Sequence, residues 1–217
     1  MQRKIDWSLY LVTDRELSLG RSLEEIVSAA VSGGVSVVQL REKSISTRDF
    51  ISLAKRIKAI IKDKNIPLII NDRVDVALAC EADGVHLGQE DMPVDIARKV
   101  LGKESIIGLS VENMEQVKAA EKLAVDYLGV SPIFKTPTKT DTKGEWGLDG
   151  LRQIRQFSRH PLIAIGGINS ANVQEVVRAG AHGIAVVSAI CSAKDPKNSA
   201  ANLRALIEAA RENFNEE

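Results

Sequence analysis

Only two cysteines, Cys80 and Cys191, occur in 217 residues, and they form no close motif. This excludes a disulfide framework and points to a reducing compartment, with both residues expected as buried thiols of no chemical role. Net charge is missing too: 29 Lys and Arg balance 29 Asp and Glu. No global field draws the chain to nucleic acid or to an anionic membrane, so any affinity for anions has to be local. No apolar run approaches the ~18 residues of a membrane span. The stretch from Met1 to Ser8 is polar and lacks the apolar core of a signal peptide. There is no low-complexity segment and no domain break. The chain is expected to be a cytoplasmic protein, a single domain over residues 1–217.

What is present is alternation. Short Val- and Ile-rich runs recur at Leu9–Val12, Val35–Leu40, Pro67–Ile70, Gly84–Leu87, Ile106–Leu109, Asp126–Val130, Leu162–Ile165 and Gly183–Val187. Nearly continuous apolar runs suit parallel strands buried on both faces. Helical patterns lie between them. Ser22 with Glu25 forms a capping-box signature, and Gly33-Gly34 stops the helix that follows. Ser46 or Thr47 opens a second helix whose apolar positions run from Phe50 to Ile61 at helical spacing. The last helix is expected from Ala200 to Phe214. Eight such units in this length give an α/β fold, a closed (β/α)8 TIM barrel, with a doubly wound open sheet as the competing arrangement.

In a barrel the chemistry sits at the carboxyl ends of the strands, and there the polar residues gather. Val38-Gln39-Leu40-Arg41-Glu42-Lys43 begins apolar and ends charged, and alternation puts Gln39, Arg41 and Lys43 on one face. Asn71-Asp72 follows the third strand, Asp91 the fourth and Ser110 the fifth. Thr136 to Lys139 lies in the long sixth loop, Ser131 to Gly147. Gly166-Gly167 follows the seventh strand and Val187-Ser188 the eighth. Each also has a plainer reading: Asn71-Asp72 as a helix cap, Asp91 as a turn before Pro93, the glycines as a tight turn. Taken together they suggest a mouth. Two glycines let backbone N–H groups approach a phosphate, and Ser188 completes that cradle. Asp72 and Asp91 suit a hard divalent ion, Mg2+ foremost. With Arg41, Lys43 and Lys139 they form a mixed-sign site fit for a diphosphate. The site is expected to take two phosphorylated substrates.

These stretches, with Asn71-Asp72-Arg73-Val74-Asp75, Gly84 to Asp91, Pro132-Ile133-Phe134, Thr136-Pro137-Thr138-Lys139 and Ala164 to Ile168, resemble the thiamine phosphate synthase family from about Tyr10 to the last helix. The resemblance implies a (β/α)8 barrel and an Mg2+-dependent union of 4-amino-5-hydroxymethyl-2-methylpyrimidine diphosphate with 4-methyl-5-(2-phosphoethyl)thiazole. The products are thiamine phosphate and pyrophosphate. By position, Gln39, Leu40, Arg41, Glu42, Lys43 and Asn71 would line the pyrimidine diphosphate site, and Asp72 and Asp91 would bind Mg2+. Ser110 and Lys139 would contact the pyrimidine or its leaving group. Thr136, Pro137 and Thr138 would face the thiazole phosphate, which Gly167, Val187 and Ser188 would cradle. Arg41, Lys43, Lys139 and Ser110 would be the catalytic groups. Ser131 and Lys135 depart from the family's usual residues.

A thiazole tautomerase of the same superfamily would need the cradle but not the diphosphate and metal set. A Schiff-base aldolase would need a desolvated lysine, and Lys135 lies in a polar loop. A phosphate sensor would not need metal carboxylates. The partners expected are small molecules, with no nucleic acid and no membrane; a homo-oligomer is compatible with the sequence. His86 reads as a structural group within its strand, and His160 and His182 fall near the opposite face. Trp146 either packs over the site or anchors its loop.

Overall fold

A computed structural model describes residues 5–136 and 144–212. Eight parallel strands close into a barrel in chain order. They are β1 (Leu9–Val12), β2 (Val37–Leu40), β3 (Leu68–Asn71), β4 (Gly84–Leu87), β5 (Ile106–Val111), β6 (Tyr127–Val130), β7 (Leu162–Ile165) and β8 (Gly183–Val186). β8 pairs with β1, Ile184 opposite Leu9, so the open-sheet alternative falls. The intervening helices are α1 (Leu23–Ser32), α2 (Thr47–Ile61), α3 (Val74–Ala79), α4 (Val94–Leu101), α5 (Met114–Ala120), α6 (Gly147–Phe157), α7 (Val173–Arg178), α8 (Ser188–Cys191) and α9 (Pro196–Glu212).

Strand alternation divides the core in two. Tyr10, Val12, Val37, Ile69, Ile106, Tyr127, Ile163 and Ala185 point inward and fill the barrel. Their neighbours, such as Leu9, Val38, Leu68 and Ile184, point outward and meet the helices. The capping box is present: the Ser22 hydroxyl accepts from the Glu25 N–H, and the Glu25 carboxylate accepts from the Ser22 N–H. Both cysteines are buried free thiols.

Several boundaries differ from the sequence reading. β2 begins at Val37 because the Ser36 hydroxyl, not a strand carbonyl, accepts the Leu9 N–H at 3.1 Å. β3 extends to Asn71, which pairs with His86. No side chain caps α3, so the capping reading of Asn71-Asp72 fails. β5 runs on through Ser110, which pairs with Gly129. The last helix starts four residues early at Pro196, where Asp195 accepts from the Asn198 N–H. Phe214 lies outside the described residues. Ser188–Cys191, unmarked as a helix by its sequence pattern, forms the short α8.

Candidate active site

A cavity of about 830 Å3 opens at the carboxyl ends of the strands. β2 delivers Gln39 into it, buried and donating through Nε2 to the Tyr10 hydroxyl at 2.9 Å. The strand then ends, and hydrogen bonds carry the alternation onward. The Arg41 N–H donates to Thr13 Oγ1 at 3.1 Å, and its guanidinium lies 3.1 Å from Asp14 Oδ2. Lys43 Nζ reaches Asp72 Oδ2 at 2.6 Å. Gln39, Arg41 and Lys43 all line the cavity. Leu40 and Glu42 are not brought to it. Leu40 is buried in the outer core, and Glu42 faces the Arg15 guanidinium at 2.6 Å.

Asn71 and Asp72 line the next sector. Asp72 takes a left-handed backbone, φ 62°, one that Asp tolerates better than most residues. Across from it, Asp91 Oδ2 accepts the Gly88 N–H at 2.6 Å. Burial raises the Asp91 carboxyl above its ordinary value and the adjacent Asp72 adds to the rise, against the Gly88 N–H and the Lys43 charge. Two carboxylates this close disfavour each other's charge unless a cation joins them. Among the described residues no third His, Cys, Asp or Glu completes a metal cluster with them. A two-carboxylate donor set fits Mg2+, which binds through one or two carboxylates and keeps places for water and substrate phosphate oxygens.

Ser110 lines the cavity from β5, with its Oγ 2.8 Å from His86 Nε2. Thr136 also lines it; Pro137, Thr138 and Lys139 lie outside the described residues. On the far wall Gly166 and Gly167 have φ of 104° and 67°. A Cβ on Gly167 would sit 2.8 Å from the Lys135 carbonyl oxygen and 2.8 Å from Phe134 Cβ. The seventh loop therefore lies backbone against the sixth, a contact that only glycine permits. The Asn172 side-chain amide donates to the Gly167 carbonyl at 2.9 Å. The helix that follows these glycines starts at Val173, with Asn172 at its N-cap, after a turn built on Asn169. Val187 and Ser188 close the wall.

Among the further lining groups that the sequence reading did not single out are Tyr10, Asp14, Gln89, Gln116 and Tyr127. The two tyrosines match the apolar strand pattern and read as core. Asp14 stood at the end of the first strand, where position alone was the signal. His86 is bonded within its strand layer and also lines the cavity. Trp146 anchors its loop: its indole donates to the Val111 carbonyl, and its ring packs against the outer core. His182 stands just before β8, at the end of the barrel away from the cavity.

A family model described as thiamine monophosphate synthase matches residues 9–190. The chain is 59% identical over 201 residues to the thiamine-phosphate synthase of Albidiferax ferrireducens, covering 93% of this chain and 92% of that one. It is 53% identical to that of Vibrio campbellii, covering 93% and 98%. A solved thiamine phosphate pyrophosphorylase from Pyrococcus furiosus superposes with a TM-score of 0.87 at 38% identity, over 94% of this chain and 97% of that one. A 3-hexulose-6-phosphate synthase, at 18% identity and a TM-score of 0.65, shares the fold.

Proposed function

This chain belongs to the thiamine monophosphate synthase family, and on that premise we propose that it joins an aminopyrimidine diphosphate to a thiazole phosphate. The substrates are 4-amino-5-hydroxymethyl-2-methylpyrimidine diphosphate and 4-methyl-5-(2-phosphoethyl)thiazole, and the products thiamine phosphate and pyrophosphate. It is a transferase. One observation carries the reading: two cations, Arg41 and Lys43, and the Asp72–Asp91 pair face the Gly167 wall across one cavity. The first group suits a diphosphate with its metal, the second a separate phosphate. A thiazole tautomerase would use the wall and leave the charged side idle.

Asp72 and Asp91 would hold Mg2+, and the bound ion supplies positive charge to the diphosphate oxygens. Arg41 and Lys43 stabilise the same oxygens as the carbon–oxygen bond breaks. Lys139, whose place in the family motif matches, is proposed to join them. The pyrimidine amino group feeds electrons into the departing methylene, so the path is dissociative and needs no protein nucleophile. The thiazole nitrogen captures the carbon. Gly167, Thr136, Val187 and Ser188 hold the thiazole phosphate so that this nitrogen is in line, which replaces a bimolecular encounter by a positioned one. Two buried free thiols support work in a reducing compartment such as the cytoplasm.

The test is to mix both substrates with Mg2+ and follow pyrophosphate and thiamine phosphate together. Equal release of the two is expected. Pyrophosphate from the pyrimidine substrate alone at the same rate, with no thiamine phosphate, would sink the assignment.

A further inference from the structure

We propose that a hydrogen-bonded chain through the barrel floor, Gln39–Tyr10–Tyr127–His86–Ser110, fixes the Ser110 hydroxyl as a donor to the pyrimidine ring, with Tyr127 and His86 as positioning residues. The proposal rests on the reading of the cavity as an aminopyrimidine diphosphate site.

Four contacts link the five groups. Gln39 Nε2 donates to Tyr10 Oη at 2.9 Å, and Tyr10 Oη lies 2.7 Å from Tyr127 Oη. Tyr127 Oη lies 2.8 Å from His86 Nδ1, and His86 Nε2 lies 2.8 Å from Ser110 Oγ. Both ends, Gln39 and Ser110, line the cavity, on strands three places apart in the barrel. The middle is housed deliberately. A Cβ on Gly108 would lie 2.0 Å from Tyr127 Cζ, and one on Gly129 2.9 Å from His86 Cε1. Glycine inside a strand marks a close approach, and here two glycines make room for the two rings of the chain.

Direction follows from satisfaction of the buried hydroxyls. An amide NH2 only donates, so Tyr10 Oη accepts from Gln39. The Tyr10 proton then goes to Tyr127, and the Tyr127 proton to His86 Nδ1, since a buried hydroxyl left without an acceptor is costly. Burial raises both phenols above their ordinary value, so each keeps its proton to donate. With Nδ1 accepting, His86 carries its proton on Nε2 and donates to Ser110 Oγ. The Ser110 proton is left to point into the cavity. Turning the Gln39 amide over would reverse every bond and leave Ser110 offering lone pairs instead.

The ends thus present a hydroxyl donor and an amide oxygen. An aminopyrimidine edge offers their complement, a ring nitrogen acceptor beside an N–H donor. The 4-oxo counterpart offers a ring N–H beside a carbonyl and mismatches both. The floor chain therefore determines specificity for the amino over the oxo pyrimidine.

The experiment measures binding of the amino and 4-oxo pyrimidine diphosphates by calorimetry with Mg2+ in wild type, Tyr127→Phe, Ser110→Ala and the double variant. Tyr127→Phe removes one atom and keeps the ring over Gly108. It is expected to lower preference for the amino compound by about tenfold, the effect of unpairing one buried polar group, and to leave thiazole phosphate affinity unchanged. Because the phenol acts through Ser110, the double variant should be no worse than Ser110→Ala alone. Additive losses, or an unchanged preference in the folded Tyr127→Phe, would overturn the proposal while leaving the assigned reaction intact. A wild type that binds neither pyrimidine diphosphate would overturn the assigned reaction and the floor chain with it. Should Tyr127→Phe not fold, nitrogen NMR of the wild type decides: His86 protonated on Nε2 supports the chain, and Nδ1-protonated or doubly protonated His86 refutes it.

Discussion

Lys43 and Asp72 are ion-paired at 2.6 Å, so a cation assigned to the diphosphate and a carboxylate assigned to the metal neutralise one another. The lysine side chain is 56% exposed. Pairs of this kind contribute no more than about 1 kcal/mol. Mg2+ and a diphosphate can therefore draw the two apart at little cost, the cation taking Asp72 and the anion taking Lys43.

Asp91 completes that arrangement, and its loss should show in the metal dependence. Asp91→Asn keeps an acceptor for the Gly88 N–H and removes the charge. The Mg2+ concentration for half-maximal rate is expected to rise at least tenfold and turnover to slow, with thiazole phosphate affinity unchanged. A magnesium titration superimposing on that of the wild type would remove Asp91 from the metal site.

Arg41 is held in advance of substrate by Asp14 and by the Thr13 hydroxyl beneath its backbone. A preorganised cation counts most where charge grows during reaction. Arg41→Met is expected to lose about 3 kcal/mol of transition-state stabilisation, on the order of a hundredfold in single-turnover rate. The fold should persist, because Leu40 and Val38 still fill the outer core. A chemical step within about twofold of wild type would make Arg41 a bystander.

Gly167→Val forces a branched side chain onto φ 67° and against the Lys135 carbonyl. The strain costs on the order of 1–3 kcal/mol. Thiazole phosphate affinity is expected to fall at least tenfold, and pyrimidine diphosphate affinity to hold. Unchanged thiazole phosphate binding by the folded variant would show that the wall is not its seat.

His182 gives the fold a pH dependence away from the cavity. Its Nδ1 accepts the Leu162 N–H at 3.0 Å and so stays unprotonated. Burial, with the Arg155 and Arg211 charges, lowers its pKa below the ordinary 6.5. The unfolded chain then takes up a proton first as pH falls. Stability should be lost as pH drops through about 6.5 towards the folded value, and level off below it. In urea titrations from about pH 8 to pH 5, His182→Asn should flatten that decline. Parallel curves for variant and wild type would clear His182 of the effect.

The fold was legible because its signals are periodic. Val and Ile runs, Ser22 with Glu25, and Gly33-Gly34 each have a mechanism that acts within a few residues. Boundaries slipped where a side chain replaced a backbone partner, as Ser36 does for Leu9. The four residues of α8 are too few to show a helical period. Charge ending a strand pointed to Arg41, Lys43, Asp72 and Asp91, and all four line the cavity. Leu40 and Glu42 entered only as neighbours in a motif, and alternation turns both away. Tyr10 and Tyr127 were hidden because an inward tyrosine and an inward valine make the same pattern. The glycines at 108 and 129 were the readable trace of the rings they admit.

Closure of the barrel also has a cost in time. Leu9 finds its strand partner only at Ile184, about 175 residues later. A ribosome adding about 5–20 residues per second needs roughly 9 to 35 s to supply it. Through that interval the nascent chain carries β1 with one unpaired edge, the kind of surface that recruits other strands. Chaperone demand in the cell should therefore follow the emergence of β8 rather than the final stability of the folded protein.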